Sequence, residues 1–283
     1  MKRKLLSFAL LAITSFSFAQ SGNSFWKVSS KKSSQTTFEK RAPLPTKNLF
    51  DLDVSGLKTA LLKSPDRSLT YTKSTVIIAF PNADGELERF RMTEASVFAP
   101  ELAARYPEIK SYIGQGIDDP SAIIRISVSP LGIQSMRTAA DKQTVFIEPF
   151  STDLKTYSIY KRSDKVAGFT KFECEVLDHA MSKVGGSGEA LRPNADDSTL
   201  RTYRLAMSVT GEYTTYHGGT KALALAAINN TMTRVNGVFE MDFGVRMVLI
   251  ANTDAVIYTS AGSDPYGSTD ANYNSELQST LTS

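Results

Sequence analysis

Cysteine is almost missing from this chain: 283 residues contain one, Cys174. A single thiol excludes an internal disulfide framework. Histidine is nearly as scarce, with only His179 and His217, so the chain offers few soft metal ligands. Past the first residues, no charge-free apolar run nears the roughly 20 residues of a spanning helix, which excludes a membrane span from the expected architecture. No basic stripe interleaved with aromatics occurs, so nucleic acid is not an expected partner. Glycines do not form a dinucleotide loop either. The stretch "GQGIDD" (114–119) lacks the third glycine and follows a helical pattern rather than a strand.

What is present starts with an export address. Lys2, Arg3 and Lys4 form a positive n-region, Leu5 to Phe18 a short apolar run, and Ser17 and Ala19 offer small residues for a cut before Gln20. That order reads as a secretory signal peptide over residues 1–19 and predicts a secreted chain, extracellular or held at the cell surface. About 260 residues remain, enough for one large or two ordinary domains. The composition, 41% hydrophobic and 22% charged, is globular. The net charge of +3 is unevenly shared: from Thr199 onward five basic residues face seven acidic ones, so that part is −2 and the part before it +5.

Residues 20–48 are rich in Ser, Lys and Thr and close on two prolines, a pattern for extended chain anchored where Phe25 and Trp26 find a pocket. "FDLDVSGLKTALLKSP" (50–65) predicts a short amphipathic helix with Leu57, Leu61 and Leu62 on one face. "TVIIAFPNADGELERFRMTEA" (75–95) predicts a hairpin, its turn set by Asp84-Gly85, which both tolerate positive φ. "PELAARYPEIKSYIG" (100–114) predicts a helix in two pieces, with Pro107 opening the second. Strands follow in "SAIIRISVSPLGIQSMRTA" (121–139), "KQTVFIEPF" (142–150) and "KTYSIYKRS" (155–163). In the first, Ile123, Arg125 and Ser127 alternate with Ile124, Ile126 and Val128, giving one polar and one buried face.

Residues 181–199, with Gly185, Gly186, Gly188 and Pro193 among polar residues, read as an exposed linker. After it, "LRTYRLAMSVTGEY" (200–213) reads as a strand. Residues 218–244 predict a long helix, N-capped by Thr220, with Leu225, Ile228, Met232, Val235 and Phe239 on one stripe. "VRMVLIANTDAVIY" (245–258) is a second strand, and "SELQSTLTS" (275–283) a further helix. Strand, long helix, strand predicts a βαβ unit with a parallel pair.

The stretch "YRLAMSVTGEYTTYHGGTKALALAAINNTMTRVNGVFEMDFGVRMVLIANTDAVIY", followed by "DPY", resembles the opening of the catalytic domain of secreted bacterial reprolysin-like zinc metalloproteases, within the metzincins. Upstream, "GELERFRMTEASVFAPELAARYPEIKSYIGQGIDDPSAIIRISVSPLGIQSM" is similar to the propeptide that precedes such domains. The resemblance spans roughly residues 74–283. It implies an α+β chain: a β-rich propeptide over 20–180, the 181–199 linker, and from 200 to 283 an incomplete α/β metzincin-like catalytic domain comprising its first strand, helix and strand. It also implies zinc as cofactor of the complete protein and protein or peptide substrates, with the propeptide partnering its own catalytic domain.

The zinc motif of such enzymes, H-E-x-x-H-x-x-G-x-x-H, puts two histidines one helical turn apart with a glutamate as general base. Neither His179 nor His217 has that spacing. No catalytic residue of the family is therefore carried onto this sequence, the motif is expected beyond Ser283, and this polypeptide alone is expected to be inactive. Some relatives bind calcium through an acidic residue on the first catalytic strand; the comparable position here is Arg204, so that site is not carried over either. Glu212, Asp242 and Asp254 read as solvated charges at element ends. The sequon Asn229-Asn230-Thr231 falls mid-helix, where it is no acceptor.

Three readings stand for Cys174, in "KFECEV". It is an inert buried thiol; or a nucleophile, which would need a histidine base and has only His179 nearby in sequence; or, by the resemblance, an inhibitory zinc ligand. A thiolate can fill the open fourth position of a catalytic zinc and block water activation. Its place at the end of the prosegment resembles the cysteine switch of reprolysins and matrix metalloproteases, although the residues around it differ. A rival for the whole chain is a non-enzymatic secreted β-rich binding or adhesion module.

Overall fold

A computed structural model describes residues 24–30, 43–68, 74–140, 142–164, 199–267 and 272–282. Between residues 26 and 161, nine strands build one antiparallel sheet. Its strands are β1 (Trp26–Val28), β2 (Leu49–Leu52), β3 (Ile77–Pro81), β4 (Leu87–Glu94), β5 (Lys110–Gly116), β6 (Ile123–Ser129), β7 (Gly132–Ala139), β8 (Lys142–Pro149) and β9 (Thr156–Lys161). Their order is β1-β2-β9-β8-β7-β6-β5-β4-β3. The two ends of the sheet curl towards one another: Trp26 stands 6.2 Å from Phe80, the Asn48 side chain donates to the Ala83 carbonyl, and Lys161 meets Asp84 at 3.3 Å. The sheet is thus a nearly closed barrel, which leaves few exposed strand edges.

Alternation along each strand fills the barrel. Ile78, Phe80, Phe90, Met92, Tyr112, Ile124, Ile126, Ile133, Ile147, Tyr157 and Ile159 all point inward and are buried. Trp26 packs edge-on against Tyr157 at 5.6 Å, the pocket expected for it. The Asn82–Glu86 turn joins β3 to β4, with Gly85 at φ +88, a conformation that suits glycine. Helix α1 (Val54–Leu61) starts four residues later than the sequence pattern suggests, because Leu49–Leu52 pair with β9 before the chain turns. Leu57 and Leu61 are buried in the barrel core, whereas Leu62, just past the helix, is exposed.

Helix α2 (Pro100–Arg105) ends before Pro107, and the expected second helical piece is instead strand β5. Tyr112 and Gly114 enter the barrel while Ser111 and Ile113 face outward, a period of two that pairing with β4 and β6 imposes on a locally helical sequence.

The remaining chain contributes β10 (Arg201–Leu205), α3 (Gly211–Tyr216), α4 (Lys221–Asp242), β11 (Val245–Leu249) and α5 (Tyr273–Thr282). β10 and β11 are parallel, with α4 as the crossover, as the strand–helix–strand pattern predicts. Thr220 caps α4 by accepting from the Leu223 amide. No helix among the described residues is long and apolar enough to cross a membrane.

Candidate functional site

The outer face of β5, β6 and β7 is not open to water. Helix α4 lies across it, so Arg125 and Ser127, the polar side of β6, are as buried as the apolar side. The expected polar face is buried for a plain reason: a second stripe of α4 carries Asn229 and Thr233, which meet Ser111 and Ser127 of the strands, and Gly237, which lies against Met136 and Arg125. Ser111 Oγ donates to Asn229 Oδ1 at 2.8 Å and lies 2.8 Å from Thr233 Oγ1. Asn229 Nδ2 donates to Ser127 Oγ at 2.9 Å and to the Lys110 carbonyl at 3.2 Å. Ser111, Ser127, Asn229 and Thr233 are tolerated at this depth because they are paired with one another. A Cβ on Gly237 would stand 2.9 Å from Met136 Cε, the flexible end of that side chain, and 3.1 Å from Arg125 Cγ, so a larger residue there would have to displace both.

Backbone pairing crosses the same boundary. The Leu249 amide donates to the Val97 carbonyl and the Ala99 amide to the Leu249 carbonyl, both at 2.8 Å. Residues 97–99 therefore run as a short parallel strand along the edge of β11 that β10 leaves free. Around that pairing lies a second core, in which Val97, Phe98, Leu102 and Ile109 join Leu225, Ile228 and Met232 of α4 and Leu249 of β11. The two parts of the chain thus share one hydrophobic core.

Charges close the interface. Glu240, near the end of α4, accepts a bidentate pair from Arg67 at 2.7 and 3.0 Å, a further bond from Arg125, and one from Arg246 at 3.1 Å. Burial alone would raise the Glu240 carboxyl, but the hydrogen bonds from Arg67 and Arg125 outweigh it and hold its pKa at about 2, against an ordinary 4.5. Asp254 accepts from Arg105 at 2.9 Å and from the Tyr106 hydroxyl at 3.0 Å. Burial first, and Asp254 second, raise the Tyr106 phenol. In the opposite sense Arg234 donates to Glu148 at 2.9 Å and sits 5.2 Å from the Phe146 ring centroid, a cation–π arrangement.

Residues 199–283 match the family model of the metallopeptidase family M12B, reprolysin-like. This part of the chain is thus similar to the reprolysin-like peptidases. No curated protein and no solved structure matches the chain. The match covers β10 to α5, so the nine-stranded barrel is packed onto a metallopeptidase-related region through α4 and β11.

The reprolysin-like part presents no metal centre among its described residues. No group of three or more His, Cys, Asp or Glu side chains is placed there to bind one. His217 is the C-cap of α3, wedged between the rings of Tyr213 at 4.5 Å and Tyr216 at 4.9 Å, which explains it as a packing residue. M12B peptidases are zinc-dependent in general, yet the described side chains do not fit a zinc centre. Cys174 and His179, and the expected linker at 181–199 up to residue 198, lie outside the described residues.

The acidic residues fare unevenly. Glu212 stands in the first turn of α3 and Asp242 ends α4, as expected of solvated charges, but Asp254 is a cross-boundary ion-pair partner. Arg204 lies on β10, with no acidic cluster around it among the described residues. The side chain of Asn229 is only 1% exposed and fully engaged, so its sequon is no glycosylation site in the folded chain. Glu240 was not legible as a site residue. The available signal was a second helical stripe, 229, 233, 236 and 240, polar where an amphipathic helix facing solvent would not need small residues.

Proposed function

We propose that this chain is the N-terminal part of an exported zinc-dependent endopeptidase precursor, in which the barrel is the prosegment and the reprolysin-like part opens the catalytic domain. The family match over residues 199–283 carries the reading. It is supported by the order of the parts: an export signal pattern, then a β-rich unit, then a Gly- and Ser-rich connection, then the protease-like region. In this reading the substrates are proteins or peptides, and a zinc ion, held by ligands other than the described residues, would supply the activated water.

The chain's own residues have a holding role in this reading. α4 and β11 are the crossover and second strand of the protease-like sheet, and the barrel fixes both through Glu240, Asn229 and the 97–99 strand. Cys174 is the candidate inhibitory ligand, placed between barrel and protease-like part in the sequence. In the full-length precursor, Cys174→Ser should give premature peptidase activity; a variant as latent as its parent removes the thiol from the scheme.

The test of the family reading is the coding sequence after Ser283. An H-E-x-x-H-x-x-G-x-x-H motif within about a hundred residues supports the protease. Its absence there favours a non-enzymatic secreted binding module.

A further inference from the structure

The boundary between barrel and reprolysin-like part has the make-up of an interior. Val97, Phe98, Leu102 and Ile109 come from the stretch between β4 and β5, yet they are buried among residues of α4 and β11 rather than in the barrel. The barrel has its own complete core without them. The core of the reprolysin-like part is instead shared: Leu225, Ile228, Met232 and Leu249 pack with Ile257 and the half-buried Leu205, Met207 and Val209 of their own part, but Val97, Phe98, Leu102 and Ile109 supply the rest of their apolar cover. Without residues 97–109 the edge of β11 would also lose two backbone hydrogen bonds. Ion pairs of complementary sign surround this patch, with Arg67, Arg105 and Arg125 of the basic part meeting Glu240 and Asp254 of the acidic part.

We propose that residues 96–109 are a donated strand-and-helix element whose partner is the β11 edge and the apolar stripe of α4, and that it keeps the two parts associated after the chain between residues 164 and 199 is cut. The donor completes a sheet and a core in one step, strand addition supplying direction and Phe98 and Leu102 supplying burial. Scission of the connection is then not release. Release requires destruction of the barrel or displacement of residues 96–109 from β11. The inference rests on the reading of the barrel as a prosegment only for its biological meaning; the association itself is independent of any peptidase activity.

The experiment uses the whole chain with a recognition sequence for a site-specific protease inserted between residues 185 and 186. After complete cutting, size-exclusion chromatography at about 1 μM, a concentration that resolves complexes of roughly 8 kcal/mol or more, should give one peak containing both fragments. Two separate peaks overturn the proposal. The pointed variant is Ala99→Pro. Ala99 has φ −58, the value proline imposes, and its amide makes the bond to the Leu249 carbonyl, so the change leaves the local backbone unstrained but deletes that donor and sets the ring against the Leu249 carbonyl. The uncut variant should fold as the parent does, and the cut variant should dissociate with a Kd raised at least about tenfold, the worth of the hydrogen bond alone. An Ala99→Pro complex as tight as the parent's overturns strand donation. If the uncut variant loses its fold, Phe98→Ala, read by the same dissociation measurement, decides the matter: an unchanged Kd overturns the proposal. Absence of a zinc motif downstream would defeat the protease reading and leave these outcomes untouched.

Discussion

Replacing Glu240 by Gln removes the one carboxylate that three arginines share. Its side chain is 11% exposed, and those of Arg125 and Arg67 are 7% and 16% exposed, so solvent offers little substitute for the lost charge. A carboxyl held at about 2 in the folded chain but at 4.5 when unfolded corresponds to about 3 kcal/mol at neutral pH, at about 1.4 kcal/mol per pKa unit. That agrees with the 3–5 kcal/mol typical of breaking a buried pair by removing one partner. Because the folded value is depressed, the contribution is complete above about pH 4.5 and disappears as pH falls through about 2. Urea unfolding of parent and Glu240→Gln at pH 7 should differ by about 3 kcal/mol, and the difference should shrink steadily towards pH 2. Trp26, the single tryptophan and 3% exposed, reports the barrel by fluorescence, while far-UV circular dichroism follows α4. A difference below about 1 kcal/mol, the worth of an exposed pair, or one that is the same at pH 7 and pH 2.5, would refute the reasoning.

The other perturbations fall along the same boundary. Asn229→Ala leaves Ser127 Oγ and the Lys110 carbonyl without their partner and should cost about 1–3 kcal/mol, read as a lower urea midpoint. Gly237→Leu favours helix formation yet drives a side chain into Met136 and Arg125; it should lower the thermal midpoint, destabilising by about 1–3 kcal/mol, and a stabilised variant would contradict the close approach. The 283-residue chain, supplied with zinc, should hydrolyse no peptide, since its described residues contain no metal-binding group and its sequence no H-E-x-x-H; turnover that a chelator abolishes would contradict this.

Much of the fold was legible because local signals and tertiary demands agree. The Asp84-Gly85 hairpin, the alternation in β6, and the Thr220 cap with its Leu225, Ile228 and Met232 stripe are each set by residues near in sequence. Residues 108–114 misled because "EIKSYIG" carries no local break and becomes a strand only through pairing with β4 and β6. The interface was illegible for another reason. Arg125, Ser127 and Ser111 have the composition of a solvated face, and only the arrival of α4, over a hundred residues later, buries them. Asp254 and Glu240 likewise gain their partners Arg105 and Arg67 across separations of 149 and 173 residues, which no spacing rule reaches. The family match at 199–283 was foreshadowed by the strand, helix and strand wording itself.

The most direct measurement takes the protein as its gene encodes it and follows zinc content and peptide hydrolysis before and after digestion of the barrel. The account predicts a zinc-bound precursor that stays latent when only the connection before residue 199 is cut and becomes a chelator-sensitive peptidase once the barrel is destroyed. A product that binds no zinc and never hydrolyses a peptide would contradict it.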